Sequence, residues 1–325
     1  MENLLFTSAG NNTEFYNKWI SDNQNYDIYV IYYGDSDEKY NFYKEKVKFI
    51  EKRKGSKFQN FYYFYNAYPD IINQYKHFFI IDDDIVFDSN DINKMFYYSK
   101  KYDLLICQPS FDHKSCISHS INRHNPNIFL AYTNFVEVNV PLFKREALDK
   151  LMQVYNPILI GWGIDYLALQ ANGKDLKDKY GIIHDVKCIN PKPENKVIKS
   201  NKRELFLLPN VHNRERTWID FAKKNNYSDR YNHKAYLDIF VKDLNKFNEK
   251  FNEPIIDNLI INNKINDTKV INNYQLVNNS QVINNDQVID NTQVTNNDQV
   301  ISNDQVISNI SKSIKLIKLI RIKKK

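Results

Sequence analysis

Residues 77–87 read HFFIIDDDIVF, and this stretch decides how the rest of the chain is read. A largely apolar run enters three adjacent carboxylates, Asp82, Asp83 and Asp84, and the chain turns apolar again at Ile85 and Val86. Like charges this close raise one another's pKa and cost stability unless a cation sits among them. A strand delivering Asp-x-Asp to a sheet edge suits a hard divalent ion, Mg²⁺ or Mn²⁺, shared with substrate phosphates. Read as extended chain, Asp82 and Asp84 project to one side as metal ligands and Asp83 to the other. The bland alternative is a loop of solvated acids capping the next helix, for which DSND at 88–91 already supplies better caps.

Working outward, NLLFTSAG (3–10) and YDIYVIYYG (26–34) read as buried strands, and NFYYFYNAYP (60–69) as a candidate third. Residues 36–52 and 91–101 suit helices, and YDLLICQPS (102–110) is a further apolar run stopped by Pro109. The alternation predicts an α/β fold, Rossmann-like, with a mainly parallel sheet flanked by helices. Ligands of such sheets bind beyond the carboxyl ends of the strands, where the Asp triplet lies.

The expected domain spans residues 1–250. From 251 to 309 the chain becomes an Asn-rich spacer with a six-residue repeat, Gln recurring at 275, 281, 287, 293, 299 and 305. The repeat reads either as an unstructured spacer or as a β-solenoid, although the Gly usual in hexapeptide coils is missing. The tail 310–325, ISKSIKLIKLIRIKKK, carries seven Lys or Arg and no acid. Interleaved with Ile and Leu, those charges suit adhesion to an anionic membrane surface. Without them, 45 basic residues become 38 against 39 acidic ones, so the body is near neutral and nucleic acid is not an expected partner.

Neither GxGxxG nor GxxxxGK[ST] is present, and only 7 glycines occur. Three cysteines, Cys107, Cys116 and Cys188, give neither a zinc spacing nor a disulfide framework. With no basic leader before a long apolar run, the chain is expected to be cytoplasmic, peripheral on an inner membrane face at most.

Two further segments carry chemistry. GWGIDY (161–166) places Asp165 beside Trp162 and Gly163, where backbone approaches a ligand closely and an indole stacks on a sugar ring. Asp165 reads equally as a helix cap. Glu137 interrupts the apolar NFVEVNVPLF, and a buried carboxylate needs a partner, either acceptor hydroxyls or the Arg145 region. The stretch HKSCISHSINRH (113–124) suits a lid or a phosphate contact rather than zinc.

In order, HFFIIDDDIVFDSNDINKMF, LLICQPS, YTNFVEVNVPLFKREAL, GWGIDY and IIHDV resemble a family of unknown function regarded as similar to GT-A glycosyltransferases. The likeness covers about residues 1–195. It implies transfer of a sugar from a nucleotide-sugar donor to a glycan or lipid-linked acceptor, with Mn²⁺ or Mg²⁺ as cofactor. It also implies Asp165 as the base of an inverting reaction and His184 as a third metal ligand. Ser8, Gly10, Asn11, Asp35 and Asp83 are then expected around the donor nucleotide, and Glu137, Trp162 and Gly163 around the acceptor. The competing readings are a nucleotidyltransferase, for which no basic triphosphate cluster is visible, and a non-catalytic carbohydrate-binding scaffold.

Overall fold

The first strand, β1 (Asn3–Ala9), is buried along nearly its whole length, as a strand covered on both faces must be. The structure is a computed structural model that describes residues 1–13, 15–192 and 204–251. The other strands are β2 (Asp27–Tyr32), β3 (Phe49–Lys52), β4 (His77–Ile80), β5 (Ile106–Phe111), β6 (Ile128–Thr133), β7 (Leu142–Lys144), β8 (Tyr180–Cys188) and β9 (Ala235–Phe240). They form one sheet in the order β3-β2-β1-β4-β7-β5-β8-β6-β9. The helices are α1 (Phe15–Lys18), α2 (Asp37–Lys44), α3 (Lys57–Ala67), α4 (Pro69–Ile72), α5 (Ser89–Lys101), α6 (Arg145–Val154), α7 (Ile164–Asn172), α8 (Arg214–Lys224) and α9 (Leu244–Asn248).

The α/β class expected from the sequence, a sheet flanked by helices, holds. Strands β3, β2, β1 and β4 run parallel, so their carboxyl ends open on one side. Strand β7 then enters antiparallel between β4 and β5, while β5 and β8 pair parallel again. Strands β6 and β9 close the far side antiparallel. The parallel character is therefore concentrated in the half that ends at the Asp triplet.

Two apolar clusters cover the two faces. Trp19, Tyr43, Phe79, Met95 and Phe96 belong to one, and Phe6, Phe61, Phe64, Phe78 and Trp218 to the other. In α5, buried Ile92, Met95, Phe96 and Ser99 recur at the spacing of one helix face.

Three local readings are corrected. Residues 60–69 are not a strand but lie mostly in α3, where Phe58, Phe61 and Phe64 turn inward at helical spacing. Their aromatic richness imitates strand composition, yet the edge contact of Phe61 with Phe6, at 4.9 Å between centroids, needs the helical period. The expected helix over 36–52 ends at Lys44, and the short β3 follows, half-buried and carrying charges. Pro109 does not stop β5 but lies within it, at a register shift against β8 that accommodates its missing N–H.

All three cysteines are free thiols. No helix among the described residues is long and apolar enough to cross a membrane. The six-residue repeat and the basic tail lie outside the described residues.

Candidate active site

The triplet is a turn, not extended chain: β4 ends at Ile80, and the Ile85 N–H donates to the Asp82 carbonyl at 3.2 Å. Alternation along a strand therefore does not set the directions of Asp82 and Asp84, which correct the reading made from period two. Asp83 occupies the centre of the turn and points to β1 and β2. Its Oδ2 accepts the Gly10 N–H and the Tyr33 hydroxyl, each at 2.9 Å. Burial, and then the charge of Asp84, push its carboxyl up to about 7. A side chain at Gly10 would place Cβ 2.7 Å from the Tyr33 ring, so only glycine lets this bond form.

Asp82 meets a partner that the sequence reading did not name. Lys57, the first residue of α3, puts its ammonium 2.9 Å from Asp82 Oδ1. The same ammonium donates to the carbonyls of Val138 at 2.7 Å and Asn139 at 2.9 Å, with Ile80 O at 3.3 Å. A cation in a helix's first turn opposes the helix dipole. These four oxygens offset that cost. Burial pulls the Lys57 amine below its ordinary range, while Asp82 opposes the shift.

The turn carrying those carbonyls also carries Glu137, which is buried. Glu137 Oε1 accepts from Asn139 Nδ2 at 2.9 Å, Asn122 Nδ2 donates to Oε2, and the Glu137 N–H donates to Gln108 Oε1. Burial first, and then the charge of nearby Asp165, raise this carboxyl to about 7, with Asp82 adding to the rise and Lys57 opposing it. Arg145 is not its partner, since that guanidinium pairs with Asp149 at 2.7 Å. The stretch 113–124 reaches the site through Asn122.

Asp165 lies in the first turn of α7, whose N-cap is Gly163 rather than Asp165 itself. Its Oδ1 accepts the Tyr166 N–H at 3.0 Å. Burial raises its carboxyl to about 7. Gly163 has φ +82°, and Trp218 packs directly over it. Trp162 is 40% exposed and free to meet a ligand's ring. Next to Asp165 in α7, the Tyr166 hydroxyl meets His233 at 3.1 Å, and His233 stacks on Phe135 at 3.7 Å between centroids.

The remaining expected residues are dispersed. Ser8 is buried and accepts from Asn60 Nδ2 at 3.0 Å, a bond between β1 and α3. Asn11 is tied into the β1–β2 end, its Oδ1 taking the Tyr32 hydroxyl and its carbonyl the Tyr43 hydroxyl at 3.0 Å. Asp35 is exposed and paired with Lys54 at 2.8 Å.

His184 departs from the expected metal set. It lies in β8, with β7 and β5 between it and β4, and its Nδ1 accepts the Asn125 N–H at 3.1 Å. Burial brings the imidazole down to about 4. Among the described residues no group of three His, Cys, Asp or Glu gathers as a metal cluster, so Asp82, Asp84 and His184 are not a three-ligand site. Two carboxylates on one turn at an open sheet end do fit an ion that takes its other ligands from water and a diphosphate.

Lys57, Asn122, Asn139 and Gln108 are the residues sequence reasoning missed. Lys57 had a signal: Ser56-x-x-Gln59 marks a helix start, and the Ser56 N–H does donate to Gln59 Oε1 at 2.9 Å. The other three have none, because their partner Glu137 is distant in sequence or hidden in a turn.

The raised Glu137 carboxyl yields a stability prediction. The folded state holds its proton more tightly than the unfolded chain, so the cost of the charged form is absent at low pH and grows as pH rises from about 4.5 through about 7. Glu137→Gln is expected to gain stability relative to wild type between pH 5 and pH 8, by on the order of 2 kcal/mol. Urea midpoints at the two pH values check this, and a difference independent of pH contradicts it.

Residues 2–131 match a family described as "Protein of unknown function (DUF707)". The match takes in the Asp triplet and Lys57 and stops before Glu137 and Asp165. The expected likeness to such a family is borne out over those residues. No curated protein matches the chain. Among solved structures, S. aureus TarS 1–349 in complex with UDP-GlcNAc is similar at 8% identity and TM-score 0.46, over 71% of this chain and 68% of that one. S. aureus TarS gives 8% identity and TM-score 0.42, over 71% of this chain and 41% of that one. A197 from STIV gives 13% identity and TM-score 0.34, over 61% and 98%. At such identities and scores, the likeness says nothing of substrate or chemistry.

Proposed function

We propose that this chain is a glycosyltransferase that moves a sugar from a nucleoside-diphosphate sugar to a hydroxyl of a glycan or lipid-linked acceptor. The observation that carries the reading is the gathering of Asp82, Lys57 and Asp165 about Glu137, at the carboxyl end of β4, where the next residue of the triplet, Asp83, takes the Gly10 and Tyr33 bonds. Ligands of α/β sheets bind at such an end.

Asp165, raised to about 7 by burial, accepts the proton of the attacking hydroxyl near neutral pH. Glu137, fixed by Asn122 and Asn139, orients the acceptor hydroxyls. Trp162 offers an exposed ring face, and Gly161, with nothing within 4 Å of a Cβ there, offers the close backbone approach expected of Gly163, which Trp218 covers. The β1–β2 end, with Gly10, Asn11 and Asp35, receives the nucleotide. Asp82 and Asp84 would hold Mg²⁺ or Mn²⁺, which when bound neutralises the diphosphate leaving group. The basic tail at 310–325 would bring the enzyme to an anionic membrane where a lipid-linked acceptor resides.

Binding and hydrolysis of a panel of nucleotide sugars, with Mn²⁺ and with chelator, test this reading. One donor is expected to bind in a metal-dependent way, and Asp84→Asn is expected to lose that binding. A folded protein that engages no donor in either condition overturns the assignment and favours a carbohydrate-binding scaffold.

A further inference from the structure

The triplet has a resident cation. Lys57 Nζ lies within hydrogen-bond reach of Asp82 Oδ1 and of the carbonyls of Val138 and Asn139, and its side chain is 10% exposed. An ammonium has three N–H bonds. Three close acceptors use all of them, so Lys57 has no proton to offer a ligand and acts on the site through its charge and its hold on Asp82. Asp82 in turn donates its own N–H to the Asn139 carbonyl at 2.9 Å, which closes the ring between the β4 end and the turn bearing Glu137.

A fixed positive charge against Asp82 has two opposing effects on a divalent ion at the same carboxylate. It orients the side chain, which favours coordination, and it repels the ion. Orienting one short side chain saves little entropy. A full charge repelling a double charge across a few ångströms, in a partly buried site, is the larger effect. Repulsion wins.

We propose that Lys57 is the built-in counter-ion of the Asp82–Asp84 end and keeps its divalent affinity low, so that the metal enters with the diphosphate of the donor rather than ahead of it. The inference deepens the glycosyltransferase reading and rests on it for the identity of the diphosphate. The diphosphate brings the negative charge that Lys57 has cancelled, and with it enough oxygen ligands to complete the shell. A site arranged this way stays empty of metal until donor arrives, and it releases metal with the nucleoside diphosphate.

Mn²⁺ binding to the full chain, followed by electron paramagnetic resonance or calorimetry without any donor, tests this directly. Wild type is expected to bind Mn²⁺ weakly, and Lys57→Met about tenfold or more tightly. Adding Asp82→Asn to Lys57→Met is expected to remove the gain. With UDP as probe, wild-type affinity is expected to rise about tenfold, and the Lys57→Met variant to gain less. Where Lys57→Met fails to fold, Lys57→Gln, whose amide still donates to the carbonyl cage, takes its place. A folded Lys57 variant that binds Mn²⁺ no better than wild type overturns the proposal. So does wild type alone binding Mn²⁺ tighter than about 10 μM. Failure of the glycosyltransferase reading looks different, because UDP and nucleotide sugars then have no effect while the Lys57 variants still shift Mn²⁺ affinity.

Discussion

Asp165→Asn is expected to lower the rate of sugar transfer by about two to four orders of magnitude while leaving the protein as stable as before, or more so. Asn keeps an oxygen to accept the Tyr166 N–H, which Asp165 holds at 3.0 Å, so the first turn of α7 keeps its bond. What it removes is a carboxylate that burial has raised to about 7. A base must be unprotonated to act, so wild-type kcat/KM is expected to rise with pH through about 7 and then level off. The residual rate of the variant should lose that limb. Donor affinity should be unchanged, since Asp165 stands with Glu137 rather than with the Gly10–Asp83 bonds. Steady-state kinetics between pH 5.5 and 9, with donor Kd measured separately, decide the matter. An Asp165→Asn variant that retains most of its rate removes Asp165 from the base role and leaves Glu137 as the next carboxylate to test.

Gly163→Ala should produce the largest loss of stability from a single methyl group. A Cβ there would lie 2.1 Å from Trp218 Cδ2, and the backbone at φ +82° already disfavours any side chain. Trp218 cannot retreat easily. It is 1% exposed, its Nε1 donates to the Asp229 carbonyl at 2.9 Å, and it belongs to the cluster under α7. Overpacking and left-handed strain together are expected to cost about 3 kcal/mol or more, a fall in thermal midpoint on the order of 10 °C. Gly161→Ala is the control. Its φ is +75°, but nothing lies within 4 Å of a Cβ there, so only the backbone penalty of about 1 kcal/mol remains. Similar losses in the two variants would show that the packing of Trp218 does not matter. Because Gly163 caps the helix that carries Asp165 in its first turn, activity at low temperature should also fall in Gly163→Ala.

The sequence by itself determined the elements whose side chains all obey one period. β1, β2 and α5 were legible because an uninterrupted apolar run or a helical stripe leaves only one face, or both faces, to bury. So was the place of the Asp triplet, since three carboxylates after a buried strand mark a sheet end. Tertiary structure alone decided α3 against a strand, because Phe58, Phe61 and Phe64 become one face only when the Phe6 side of the sheet is there to receive them. It alone inserted β7 between β4 and β5, three residues whose pairing depends on both neighbours. It also separated His184 from the triplet and brought Lys57 to it. Sequence distance carries no information on either point. Lys57 and Asp82 meet because α3 starts where β4 ends, and His184 stays away because two strands lie between. A charge's partner is fixed by which strand ends are neighbours, and that is a property of the assembled sheet.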